Sequence, residues 1–274
     1  MPVKKDPSGR RYVEAEAEVP GTPEQVWDAI ATGPGISSWF VPTQVEEREG
    51  GTVTSQFGVG DSVANVTEWN PPHRFVATSP DLGEHAATVA TEWVVEARDG
   101  GTCVVRVVHS WFADTDQWDK DFEGHEHGWR EFFRILRLYL THFRGHYGAI
   151  LQVLPVLPEP KDTAWAALMS RLGLPRAPEV GQRIASSNGA PAFAGVVEHV
   201  GEGAYPESLF VRLDAPAPGL AHLFAMAMGG QVFLIVRLYL FGDKPAALVA
   251  REEPAWKAHL ASMAEAVKDG KVQK

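Results

Sequence analysis

Histidine is the side chain best suited to moving a proton near neutral pH, and seven of the ten histidines in this sequence fall within its first 150 residues. His125-Glu126-His127 has metal-ligand residue types, but residues two apart on a helix point to different sides, so the imidazoles converge only if that segment is irregular. His142 and His146 are spaced to share a helix face, yet nothing nearby completes a ligand set and the HExxH pattern is absent. The acidic run Asp114, Asp116, Asp119, Asp121, Glu123 and Glu126 lacks EF-hand spacing and its glycine; it reads as a solvated loop and a helix start. No GxSxG elbow, phosphate-cradling glycine loop or dinucleotide fingerprint occurs. The expectation is no metal and no cofactor, which leaves His109 as the residue to place.

Strand alternation places it. In Thr102 to Trp111, turning Arg106 to water turns Cys103, Val105, Val107, His109 and Trp111 to the opposite face. Glu92 and Glu96 outside likewise put Val89, Thr91, Trp93 and Val95 inside, and Phe57, Trp69 and Phe75 are further candidates for the same wall. Facing them, Trp129, Phe132, Phe133, Leu136, Leu140 and Phe143 recur at helical spacing while Arg130, Arg134 and Arg137 fall elsewhere. Each aromatic ring buries about 150–250 Å². A wall built from them suits a flat or greasy ligand, but any single ring at such spacing ordinarily fills a core; what points to a ligand is His109 among them. A buried neutral imidazole requires a hydrogen-bond partner. For His109 that partner is either a ligand carbonyl or hydroxyl, or a group of the protein itself.

The rest of the sequence supplies the frame. Tyr12 to Val19 alternates apolar and acidic residues, as a strand with one wet face does. Thr22 can cap a short helix with Pro23 in its first turn and Val26, Trp27 and Ile30 as its buried stripe; Gly33-Pro34-Gly35 should end it, and Ile36 to Phe40 should add one turn. From Val41 to Trp111 strand follows strand, with turns at Gly50-Gly51, Gly58 to Asp61, Asn70-Pro71-Pro72 and Asp99-Gly100-Gly101. A long helix across a curved antiparallel sheet makes this half α+β.

The second half repeats the plan in shortened form. Trp165 and Trp256 have the contexts of Trp27 and Trp129, and the Gly229-Gly230 hairpin mirrors Gly100-Gly101, so Gln231 to Phe241 parallels Thr102 to Phe112. Proline-rich Pro155 to Pro160 reads as a stiff linker. Leu220 to Phe241 is apolar enough to raise a membrane span, but His222, Gln231, Arg237 and the glycine pair break it into a buried β-hairpin. Its second strand is apolar on both faces and must be covered on both, by the first half or by a second copy of the chain. Residues 151–274 expressed alone should therefore aggregate.

Composition bounds the partners. The 274 residues are 45% hydrophobic and 22% charged, as in an ordinary globular protein long enough for two domains. Residues 1–150 hold 13 Lys and Arg against 23 Asp and Glu, and the remainder 12 against 12, so the net charge of −10 resides in the first half. That disfavours nucleic acid, whose phosphates need a basic face. The single cysteine, Cys103, cannot form an internal disulfide; with a polar Met1 to Arg11, a reducing cytoplasmic setting is expected.

Thr22 to Ile30, Trp39-Phe40, Gly60-Asp61, Glu68 to Phe75, Thr91-Glu92-Trp93 and Gly128-Trp129, in that order, resemble the START-like (SRPBCC) superfamily, and within it homologues of the activator of the ninety-kilodalton heat-shock protein ATPase. The resemblance implies a helix-grip fold over residues 10–148, in tandem with a truncated, diverged copy over 155–270. It also implies an apolar cavity between sheet and helix. Three functions remain open: non-catalytic binding of a lipid- or polyketide-like molecule, docking on a chaperone-like partner through the acidic first domain, and cyclase or hydratase chemistry with His109 as acid or base.

Overall fold

The computed structural model describes residues 3–7, 9–57, 60–79, 88–111, 119–158, 160–187, 189–203 and 205–268, the side chains of 111, 119–127 and 267–268 excepted. The chain divides into two compact units, Met1–Tyr147 and Gly148–Lys274.

In the first unit the elements run β1 (Lys4–Lys5), β2 (Arg11–Pro20), α1 (Pro23–Ala31), α2 (Gly33–Ser37), β3 (Thr43–Val45), β4 (Thr52–Gln56), β5 (Asp61–Asn70), β6 (Arg74–Ser79), β7 (Val89–Arg98), β8 (Thr102–Trp111) and α3 (Asp119–His142). The eight strands form one antiparallel sheet ordered β1-β2-β8-β7-β6-β5-β4-β3, so the last strand returns to lie beside β2. This is a helix grip. Val13 and Val19 of β2, Trp93 and Val95 of β7, and Cys103, Val105 and Val107 of β8 are buried on the face toward α3, with Phe133, Leu136 and Leu140 of α3 opposite. The outer face carries ion pairs instead, Arg74 meeting Glu68 and Glu92, and Arg106 meeting Glu96.

Thr22 closes a capping box on α1, its hydroxyl accepting from the Gln25 amide while the Gln25 side chain accepts from the Thr22 amide. α1 ends at Ala31, just before Gly33-Pro34-Gly35, and the same segment opens α2: the Thr32 hydroxyl accepts from Gly35 N at 3.0 Å and the proline occupies the first turn, where it needs no partner. Gly128, inside α3, would meet nothing within 4 Å on gaining a Cβ. Gly128→Ala should therefore raise stability by about 0.5–1 kcal/mol through the helix preference alone, checked as a shift of the urea midpoint; a loss would show an unseen close approach.

The second unit runs β9 (Ala149–Val153), β10 (Val156–Pro158), α4 (Lys161–Leu172), β11 (Arg183–Ala185), β12 (Ala194–Val200), β13 (Ser208–Ala215), β14 (Gly219–Met228), β15 (Gln231–Leu240) and α5 (Pro245–Lys268). Its sheet is ordered β10-β15-β14-β13-β12-β11, with β9 also on β15, which is the topology of the first unit with fewer strands. The proline-rich segment expected to be a linker is thus part of the sheet: Val156–Pro158 pairs with Gln231–Phe233. Prolines are tolerated there because β10 is an edge strand. Leu220 to Phe241 forms the β14–β15 hairpin turning at Gly229-Gly230, and among the described residues no helix is long and apolar enough to cross a membrane. The core joins Leu168 and Leu172 of α4 and Trp256, Leu260 and Met263 of α5 to one face of the sheet; on the other face of β15, Ile235 and Tyr239 are also buried.

Candidate functional site

The sheet register brings one pair of polar side chains together on the inner wall of the first unit. Thr91 of β7 lies directly opposite His109 of β8, and Thr91 Oγ1 is 2.9 Å from His109 Nδ1. From α3, the Trp129 indole Nε1–H donates to His109 Nε2 at 2.6 Å. An indole nitrogen only donates, so Nε2 must carry the lone pair. The neutral ring then holds its proton on Nδ1 and donates it to Thr91 Oγ1. The partner that sequence left undecided is therefore protein on both ring nitrogens.

Rings surround this relay. Trp129 stacks on Phe40 with centroids 5.4 Å apart and planes 10° from parallel, and on His109 at 5.4 Å. Phe40 also meets Phe132 at 4.4 Å and Phe57 at 5.7 Å, both edge-on. Such geometries follow the ring quadrupoles. Trp93 touches Trp129 at 5.2 Å and Phe133 at 6.2 Å, and links them to Phe75 at 6.3 Å.

The residues expected to form one wall fall into two groups. Thr91, His109, Trp129, Phe132 and Phe57 gather at one end, where Thr91, His109 and Phe132 are half-buried and Phe57 is 37% exposed. Trp69 and Phe75 are instead brought to α1, against Trp27 at 5.1 and 5.8 Å. Trp93 spans the two, while Val105, Val107, Phe133 and Leu136 are fully covered core residues. The Trp111 side chain, the acidic run and His125-Glu126-His127 lie outside the described residues or side chains.

Two residues at this end were not among those expected. Phe40 joins Trp129, Phe132 and Phe57, and Trp39, fully buried, fixes Phe40 from behind by donating Nε1–H to Ala29 O at 2.8 Å. The adjacent Trp39-Phe40 pair after a capped turn was the available signal. Cys103 is not a competing nucleophile. Its thiol donates to Gly21 O at 3.3 Å, and burial pushes its pKa up, away from the reactive thiolate. Among the described residues no three His, Cys, Asp or Glu side chains come together as a metal set.

An antiparallel sheet gripping a long C-terminal helix, with rings between them, is the helix-grip fold that the resemblance implied. Residues 20–141 match the family model described as Activator of Hsp90 ATPase homolog 1-like protein, and the first unit is AHSA1-like. Among solved structures, the di-domain ARO/CYC BexL from the BE-7585A biosynthetic pathway aligns with a TM-score of 0.45 at 14% identity, covering 95% of this chain and 94% of that one. DynU16, of the dynemicin biosynthetic locus, aligns at 0.41 and 16% identity, covering 93% and 98%. The Aha1 dimer from Colwellia psychrerythraea aligns at 0.42 and 21% identity, covering 49% of this chain and 98% of that one. No curated protein matches the sequence.

Proposed function

We propose that the first unit binds a flat, apolar small molecule at the half-exposed Phe57–Phe132 end of its helix grip, without chemical turnover. The observation that carries this is a half-exposed aromatic edge, Phe57 and Phe132, continuous through Phe40 with the stacked Trp129 and bordered by the Thr91–His109 pair. Deeper in, the rings already meet one another, so the guest adds a further ring at this edge. Apolar rings at partial exposure favour a ligand that removes them from water, about 25 cal/mol per Å² covered. A neutral solvatochromic dye should shift to the blue on mixing with the protein and be displaced by flat aromatic compounds. Uptake no greater than that of a well-packed control protein would rule the reading out.

Acid or base chemistry at His109 is less well supported, because its lone-pair nitrogen already accepts from Trp129. His109→Gln abolishing a turnover would restore that possibility. The family match and the acidic first half support a second reading, docking on a chaperone ATPase. A salt-sensitive pull-down of a heat-shock ATPase, with a change in its turnover, distinguishes it from ligand binding.

A further inference from the structure

We propose that Thr91 is the hydrogen-bond donor by which this site selects its guest, and that the preferred ligand is a flat apolar molecule bearing an acceptor oxygen, such as an aryl ketone. The inference rests on the binding reading above and deepens it.

The argument is one of direction. Trp129 donates and cannot accept; His109 therefore accepts at Nε2 and donates at Nδ1; Thr91 Oγ1 therefore receives a proton and keeps its own O–H to give away. That hydroxyl has no other partner among the described residues, and Thr91 is half-buried beside the aromatic edge. The relay thus leaves the single Thr91 O–H free while His109 takes one of the two lone pairs of the hydroxyl oxygen. A ligand oxygen with a lone pair accepts from that O–H.

The chain carries its own control for whether the fold needs this relay. In both units the inner positions of the last strand are counted from the glycine-pair hairpin, which sets Cys103, Val105, Val107 and His109 against Val232, Leu234, Val236 and Leu238. His109 pairs across the sheet with Thr91, and Leu238 with Ala221. On the closing helix, buried Trp129, Phe133 and Leu136 correspond in spacing to buried Trp256, Leu260 and Met263. The second unit thus builds the same grip with the tryptophan retained and both relay partners apolar. Trp256 Nε1 is accordingly buried without a hydrogen-bond partner among the described residues. Thr91 and His109 are not demanded by the topology; they serve something particular to the first unit. His109 and Trp129 act as positioning residues that orient the Thr91 hydroxyl.

The test compares two neutral fluorescent probes of near-equal shape, a 2-acylnaphthalene and the matching 2-alkylnaphthalene, on the full-length protein. The acyl probe should bind the parent protein more tightly, and Thr91→Val, which keeps the shape and removes the donor, should weaken it about three- to tenfold while leaving the alkyl probe unchanged. Thr91→Ser should restore the preference. Equal affinities for the two probes, or a loss in Thr91→Val shared by both, would overturn the inference and leave binding itself intact. Failure of both probes to bind the parent protein would overturn the inference and the binding reading together.

Discussion

Trp129→Ala should destabilise the first unit by about 3–5 kcal/mol, the range for emptying a large aromatic site in a packed core. The residue is 9% exposed and touches Phe40, Trp93, Phe132 and Phe133 while donating to His109. Removing the indole opens a void and strands a half-buried imidazole acceptor. Trp129→Phe separates the two losses, since it keeps most of the ring and removes the donor. It should cost about 1–3 kcal/mol, the penalty for an acceptor deprived of its partner. Urea unfolding followed by circular dichroism reads both changes. Trp129→Ala tolerated within about 1 kcal/mol would mean that α3 does not seat on the sheet through this residue.

Gly35→Ala should be comparably severe, although it adds one carbon. A Cβ there would lie 1.9 Å from Asp28 O and 2.8 Å from the Thr32 hydroxyl, and the first of these is helix backbone that cannot swing aside. Relief requires α1 and α2 to part. That carries Trp39 away from its bond to Ala29 O and moves Phe40 off Trp129 and Phe132. The expected loss is about 3 kcal/mol or more, at or beyond the upper end of ordinary overpacking, together with loss of dye uptake. Full stability in Gly35→Ala would show that the α1–α2 corner is looser than its geometry implies.

Much of the inner wall was legible because strand periodicity needs only one fixed point. Arg106, which pairs with Glu96 on the outer face, sets the phase of all of β8 and puts His109 inside. The partner of that histidine was not legible. Trp129 is twenty residues further along, and nothing in a helical stripe says which of its turns will cross which strand position. That Trp69 and Phe75 meet Trp27 was not legible for the same reason: alternation gives a face, whereas distance along the face depends on where α1 comes to rest. Local chemistry told only part of the story in two places. Gly33-Pro34-Gly35 reads as a break and α1 does end at Ala31, but a hydroxyl at Thr32 makes the segment a helix start as well. Prolines from Pro155 to Pro160 read as a spacer, yet an edge position lets Val156–Pro158 pair with β15.

In each unit an early strand, β2 or β9, is hydrogen-bonded to the strand made last. Arg11 lies opposite Trp111, and Ala149 opposite Leu240. Contacts so remote along the polymer slow folding, since a long loop must close before they form. On the ribosome, β2 must wait as an unmated edge until β8 has cleared the exit tunnel, and β9 must wait for β15. A nascent chain truncated before Thr102 keeps β2 unpaired with β8, the condition in which a foreign strand can take that place.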